Sequence, residues 1–151
     1  MRFRSPSSGL LYVSNTEARN EVRFEGPGLH GGSTVRGHAV ETRITVIDPV
    51  SGTVSPKHLN KHVPFDDPNP AAQAAAKPHS LSNVRQMAIS GDGLKIYAAA
   101  MGSNKIAVFD AVDIEDPNFD TNFDPLVESA QYIDVEGGPS GVRSDEHTSE
   151  L

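Results

Sequence analysis

Two histidines and one arginine lie in a glycine-rich stretch where their side chains could bind a ligand. His30, Arg36 and His38 fall in a part of the chain without a helical pattern. Long loops on a rigid scaffold are where binding residues concentrate. We therefore predict these three as candidate ligand-binding residues, although the sequence specifies no ligand for them.

The same stretch contains a short glycine motif. Gly26, Gly28 and Gly31 satisfy Gly-x-Gly-x-x-Gly, and Asp48 follows at about the distance of a ribose contact. A dinucleotide fingerprint must also open a helix, whose N-terminus binds the pyrophosphate, and residues 32–37 have too little helical character. We interpret the motif as part of a flexible loop.

Carboxylates cluster between residues 113 and 124, and Ca²⁺ prefers such oxygen ligands. An EF-hand loop needs acidic residues at alternate positions, Gly at the sixth and Glu at the twelfth, and that pattern is absent. A solvated acidic loop is the favoured interpretation. A calcium loop of another type is the alternative, with Asp113, Glu115 and Asp116 as candidate metal ligands.

Two further histidines, His58 and His62, have a spacing that chelates metal on a helix. On a strand the same spacing separates them by about 13 Å, too far to share an ion. Pro56 and Pro64 flank the pair and leave little room for a helix, so a solvated strand or loop is predicted. No catalytic group can be derived from spacing alone, and no catalytic residue is predicted.

Composition narrows the class of protein. The 151 residues carry a net charge of −7, which disfavours a nucleic-acid partner, and no apolar run is long enough to span a membrane. The 13 glycines and 11 prolines favour many short strands over long helices. With no cysteine, this stretch offers no disulfide, no thiolate metal site and no haem attachment.

Two segments repeat one order of turn, strand and partner strand. In the first copy these lie at residues 5–9, 10–15 and 43–48. In the second copy they lie at residues 90–93, 94–100 and 105–110. Tyr12 and Asp48 are 36 positions apart, whereas Tyr97 and Asp110 are 13 apart, so the first hairpin carries a 23-residue insertion within 16–42.

The partner strands are apolar on both faces. Ile106 and Val108 lie on one face, and Ala107 and Phe109 lie on the other. Such strands belong to sheets that are covered on both sides, as stacked propeller blades are, whereas a two-sheet sandwich would alternate more strictly. The predicted fold class is therefore all-β, a partial β-propeller of about two four-stranded antiparallel blades.

The two copies resemble the repeat of the YVTN family of β-propellers. That repeat reads Ser-Pro-Asp-Gly, then Leu-Tyr-Val-x-Asn, then Asn-x-Val-x-Val-Ile-Asp. The matching segments are 91–99 (GDGLKIYAA), 103–110 (SNKIAVFD), 11–15 (LYVSN) and 44–48 (ITVID). The resemblance covers about the strand-bearing half of the chain. It implies a ring of about seven or eight blades, commonly secreted or periplasmic in bacteria, and no single activity.

The predicted layout follows from the two copies. The first blade is 1–63, with an incomplete inner strand at 2–4, the insertion at 16–42 and an outer strand beginning within 53–58. The linker is 64–83, with a single helical turn within 71–77, because seven residues are too few for independent helicity. The second blade is 84–136, with inner and outer strands at 84–90 and 128–135.

The two ends of the chain do not match complete blades. Residues 137–142 resemble the start of a third blade. Residues 143–151 resemble a translated sequencing adapter and are predicted to be a non-native tail. The remaining propeller blades are therefore expected partners in the same protein.

Three functions are compatible with these patterns. The first is a non-catalytic scaffold, periplasmic or extracellular, whose long loops bind a protein or a small ligand, with no cofactor in this stretch. The alternative is the propeller part of an electron-transfer or redox protein, whose c-type cytochrome domain would carry haem c elsewhere in the full-length protein. A hydrolase with channel-facing acids and histidines is a third, weaker interpretation.

Overall fold

The chain forms two four-stranded antiparallel sheets, each with its strands side by side in chain order. The computed structural model describes residues 2–18, 40–64, 69–119 and 129–144. Sheet 1 contains β1 (Arg2–Arg4), β2 (Leu11–Ala18), β3 (Val40–Ile47) and β4 (Val54–His58). Sheet 2 contains β5 (Val84–Ile89), β6 (Lys95–Ala100), β7 (Lys105–Asp110) and β8 (Ser129–Asp134). The strands predicted from the two copies are thus all found.

The hairpin of sheet 2 follows directly from its turn residues. β6 and β7 pair in register from Lys95 opposite Asp110 to Ala100 opposite Lys105. Asn104 has a left-handed backbone, with φ of 54°, and Asn adopts this conformation more readily than most residues. The chain therefore reverses within a few residues, and the two strands pair along their whole length.

The hairpin of sheet 1 is longer than the sequence predicts. β2 continues to Ala18 and β3 begins at Val40, which lengthens the ladder by the pairs Thr16–Thr42, Glu17–Glu41 and Ala18–Val40. Glu17 and Glu41 favour strands only weakly and interrupt the apolar pattern, so the pattern does not reveal this extension. The insertion between the strands reduces to residues 19–39, which lie outside the described residues.

Two short helices also differ from the prediction. Helix α1 (Pro70–Ala76) is longer than a single turn, because the Asn69 side chain accepts a hydrogen bond from the Ala71 N–H at 3.0 Å and proline suits the first helical position. Helix α2 (Ala111–Glu115) stands where a solvated loop is predicted. Ala111 and Ile114 of α2 are buried, so packing against the sheets holds this helix.

The hydrophobic core lies between the two sheets. Tyr12 and Ile44 of sheet 1 are fully buried in one cluster with Met87, Ile96 and Phe109 of sheet 2. The same cluster contains Val46, two positions after Ile44, and Ala98, two positions after Ile96, so its residues share one face of each sheet. Burial of this face joins the two sheets into one body.

The face of sheet 2 that points away from sheet 1 is apolar as well. Ala88, Ala99 and Val108 are buried there, and Tyr97 and Ile106 are half-buried. The register places Tyr97 opposite Ala88 and Val108, so these residues share that face. This explains why the strands lack an alternation of polar and apolar residues.

A close contact between two turns joins the sheets at one end. The Ser7 Oγ donates a hydrogen bond to the Gly93 carbonyl at 3.3 Å. Gly93 has φ of +76°, and a Cβ built there would lie 2.6 Å from the Ser7 Oγ. Both the backbone conformation and the approach of the first turn therefore require glycine at position 93.

The connections between strands sort to two ends of the sheets. The turns at 5–10, 48–53 and 90–94 lie at the same end as α2. Ala18 and Val40, where the insertion starts and returns, lie at the opposite end. Among the described residues, no helix is long and apolar enough to cross a membrane.

Candidate functional site

The predicted ligand-binding residues His30, Arg36 and His38 lie outside the described residues, as does the glycine motif at 26–31. The structure describes the two strands that carry this loop. They are paired in register up to Ala18 and Val40, so the loop starts and returns at directly opposite residues.

Four polar residues near this point form what we name the loop-base cluster: Glu17, Glu41, Arg43 and His58. Glu17 and Glu41 are directly opposite each other on β2 and β3, and like charges at such a pair repel. The guanidinium of Arg43 is paired with both carboxylates, at 2.8 Å from Oε2 of Glu41. The positive charge of Arg43 thus offsets the repulsion between the carboxylates of Glu17 and Glu41.

Two members of the loop-base cluster, Glu41 and His58, are shielded from water, whereas Glu17 is exposed. Glu41 is 6 % exposed and His58 is 4 % exposed, and the His58 Nε2 lies 3.4 Å from Oε2 of Glu41. A buried carboxylate is tolerated only when it is paired, so the contacts of Glu41 are a requirement of the fold. The cluster fixes the strands at the base of the loop.

The two histidines of the i, i+4 pair are not on a helix. His58 is the last residue of β4, and His62 lies in the turn that follows. The predicted strand is confirmed for His58, but its predicted exposure to solvent is wrong, because this side chain packs beside Glu41 and its Nδ1 accepts a hydrogen bond from the Asn60 N–H at 3.1 Å.

Glu115 of the predicted acidic cluster lies at the opposite end and joins the two sheets. Oε1 of Glu115 accepts hydrogen bonds from the Ser8 Oγ, at 2.6 Å, and from the Tyr12 hydroxyl. Burial, followed by the neighbouring Glu115 carboxylate, raises the pKa of Tyr12 to about 12. Both effects hold the phenol in its neutral form, in which it donates.

Lys57 makes a second link between the sheets, and the sequence does not predict it. Its side chain is fully buried, its Nζ donates to the Asp116 carbonyl at 2.6 Å, and it lies 6.0 Å from the ring centroid of Phe119. A lysine on an edge strand is expected to face water. The sequence does contain one indication of this burial. Lys57 lies two positions before the apolar Leu59, which is fully buried, and residues two positions apart in an extended chain point to the same face.

We name these contacts the inter-sheet clasp: Ser8, Tyr12 and Lys57 from sheet 1, with Glu115 and Asp116 from the end of α2. The clasp uses the carboxylate of Glu115 and the backbone of Asp116. The Asp116 side chain accepts a hydrogen bond from the Asn118 N–H at 2.7 Å. These residues therefore hold two sheets in fixed relation to each other.

The remaining candidate metal ligand, Asp113, has a different environment. Burial, followed by the nearby Asp110 carboxylate, raises the pKa of Asp113. Within the described ranges, no group of three or more His, Asp or Glu side chains is arranged to hold a metal ion. Asp120 and Asp124 of the acidic cluster lie outside these ranges, so the calcium alternative stays a prediction.

The comparisons with known proteins bear on the fold. No protein-family model matches the chain, and no curated protein matches it. Among solved structures, the chain is similar to the hydrazine synthase of Kuenenia stuttgartiensis, a β-propeller-containing protein, with a TM-score of 0.64 and 13% sequence identity. The similarity covers 95% of this chain and 38% of that chain.

At this identity the similarity shows the fold alone. Together with the two sheets of four strands, packed face to face in chain order, it confirms the predicted fold class. The chain is a partial β-propeller of about two four-stranded antiparallel blades.

Proposed function

We propose that this chain is a non-catalytic part of a β-propeller scaffold of the YVTN-repeat kind, and that it binds a protein or a small ligand through the loop at 19–39. The observation that supports the proposal is the extended hairpin of sheet 1. Its strands have eight residues each, whereas β6 and β7 have six, and the extra length leads to the loop.

The loop-base cluster supports the same function. A long connection that serves only as a spacer needs no ordered base, whereas a binding loop gains affinity when its ends are held in place. Arg43 and Glu41 supply this order through paired charges at the base. The resemblance to the YVTN repeat further supports a periplasmic or extracellular location.

The test replaces residues 19–39 by Asn-Gly, which closes a two-residue hairpin between the opposite residues Ala18 and Val40. Both proteins are used as bait with soluble extract of the source cells, and a captured partner is purified and measured by biolayer interferometry. We expect the partner to bind the parent chain and not the short-loop variant. Far-UV circular dichroism melts establish that the variant is folded.

The matched control changes the surface at the other end of sheet 1. Val50 and Ser51 lie in the exposed turn between β3 and β4, and substitution of both by Ala should leave binding unchanged. Equal binding of the partner to the parent and short-loop proteins would refute the proposal.

The second candidate is that the chain is the propeller part of a larger redox protein that carries haem c. The observation in its favour is that the similar chain belongs to a hydrazine synthase and that this chain spans only 38% of it. The test is to sequence the complete gene, express its product and record the absorbance spectrum of the reduced protein. A Cys-x-x-Cys-His motif with a bound haem is expected, and a colourless complete protein would refute this candidate.

A further inference from the structure

The face of sheet 2 that points away from sheet 1, here named the outer face of sheet 2, repeats the residues that sheet 1 buries against sheet 2. In sheet 1 these residues are Tyr12, Ile44 and Val46, which belong to the core between the sheets. The same three residue types occupy the same register positions of sheet 2: Tyr97, Ile106 and Val108. The outer face of sheet 2 thus has the composition of a surface that already packs against a sheet.

This outer face keeps contact with solvent. Tyr97 and Ile106 are half-buried, and Ile133, opposite Ile106 on β8, is 39 % exposed. Their counterparts Tyr12 and Ile44 in sheet 1 are fully buried. An exposed apolar patch of this kind is typical of an interaction surface. The outer face of sheet 2 is therefore suited to bind a further sheet.

The face of sheet 1 that points away from sheet 2, here named the outer face of sheet 1, is apolar in a matching way. Leu11 and Ile47 are directly opposite each other there, and Val13 lies two positions further along β2. Val54, opposite Ile47 on β4, is 60 % exposed. The equivalent positions of sheet 2 are also apolar, and their residues are fully buried against sheet 1: Ile96, Ala98 and Phe109.

We propose that the outer face of sheet 2 binds the outer face of sheet 1 of a second copy of this chain, head to tail. The contact between the two sheets within one chain is the template, since each outer face carries the equivalents of one side of that contact. The proposed interface does not involve the loop at 19–39. It therefore goes beyond the scaffold function and stands or falls independently of it.

A head-to-tail contact uses a different surface on each partner, so it continues from copy to copy until a ring closes. Each copy contributes two sheets. Because propellers close with about four to eight blades, a closed ring would contain about two to four copies.

The test is sedimentation velocity of the full chain from about 1 μM to about 1 mM. We expect discrete oligomers whose population rises with concentration. Val54→Lys and Ile133→Lys each place a charge in one outer face and should weaken association about tenfold or more, because burying an unpaired charge is unfavourable. Both positions are exposed in the single chain, so each variant should fold, which circular dichroism melts establish.

The matched control is Val50→Lys, the same substitution in the exposed turn that precedes β4. It should leave association unchanged, which separates a specific contact from the general effect of charge. A second measurement mixes Val54→Lys with Ile133→Lys at a concentration where each alone is a monomer. The mixture should form a 1:1 pair, because each variant keeps the outer face that the other has lost.

The proposal would be overturned by a chain that stays monomeric at every concentration, and the outer face of sheet 2 would then be assigned to a third blade of a longer polypeptide. Unchanged association in Val54→Lys or Ile133→Lys, equal weakening in Val50→Lys, or the lack of a pair in the mixture would also overturn it.

Discussion

The hydroxyl of Tyr12 is the most direct probe of the inter-sheet clasp. It donates to the Glu115 carboxylate across 103 residues of sequence and connects β2 to the end of α2. Tyr12→Phe removes one oxygen atom and leaves the ring in the core, so it deletes the hydrogen bond without opening a large cavity. The free energy of unfolding should therefore report on the bond itself.

The expected loss follows from the charge of the acceptor. A hydrogen bond to an ionised group contributes about 1.5 to 3 kcal/mol. Glu115 is half-buried and keeps its bond to Ser8, so the carboxylate is not left alone in an apolar environment. We expect a loss of about 1.5 kcal/mol, which for a domain of this size lowers Tm by about 3 to 6 °C.

The assay is urea denaturation followed by far-UV circular dichroism, since the chain contains no tryptophan for fluorescence. The matched control is Tyr97→Phe, because Tyr97 holds the equivalent position of the second copy and makes no hydrogen bond with a described side chain. Its loss should be below about 0.5 kcal/mol. If the two variants are equally stable, the inference that the clasp joins the sheets is refuted.

Two further predictions concern alkaline pH and the turn glycines. Because the pKa of Tyr12 is about 12 in the folded chain and about 10 in the unfolded chain, its contribution is complete below pH 10 and is lost as pH rises to 12. The unfolding free energy of the parent chain should fall by about 1 to 2 kcal/mol more than that of Tyr12→Phe in this range, and parallel curves would contradict the assignment. Gly93→Ala should lower the free energy of unfolding, measured by urea denaturation, by about 2 to 4 kcal/mol, because the added Cβ meets the Ser7 hydroxyl and φ is positive. Gly52→Ala should lower it by only about 1 kcal/mol, since φ is also positive there but nothing lies within 4 Å of the added Cβ. Equal losses in the two glycine variants would show that the contact between the turns is unimportant.

The sequence predicts the strands best where its local pattern and its tertiary environment agree. In the second copy, the apolar residues of β6 and β7 and the turn at Asn104 lead to the observed hairpin almost residue by residue. The limits of β2 and β3 are predicted less well. Glu17 and Glu41 are poor strand residues, and their pairing depends on the Arg43 guanidinium, which no local pattern reveals.

The candidate sites are harder to predict because their contacts are distant in sequence. Glu115 is identified as a possible metal ligand by its residue type, but Tyr12 and Ser8, more than 100 positions away, determine its contacts. A lysine is ordinarily exposed because of its charge, whereas the Asp116 carbonyl and the ring of Phe119 contact the buried side chain of Lys57. Only the packing of one sheet on the other brings these groups together.

The orientation of the two equivalent tyrosines has a consequence for the order in which blades stack. Tyr12 points from sheet 1 to the next sheet in the chain, and Tyr97 occupies the corresponding face of sheet 2. Each blade thus carries a tyrosine hydroxyl, a hydrogen-bond donor, on the face toward the next blade in the chain. The Glu115 carboxylate, which follows sheet 2, accepts the hydrogen bond from the tyrosine of the preceding blade. A blade added in the reverse orientation would bring donor against donor and leave Tyr97 without an acceptor. The direction of these hydrogen bonds, from donor to acceptor, therefore fixes the orientation in which successive blades pack, which apolar contact alone would not do.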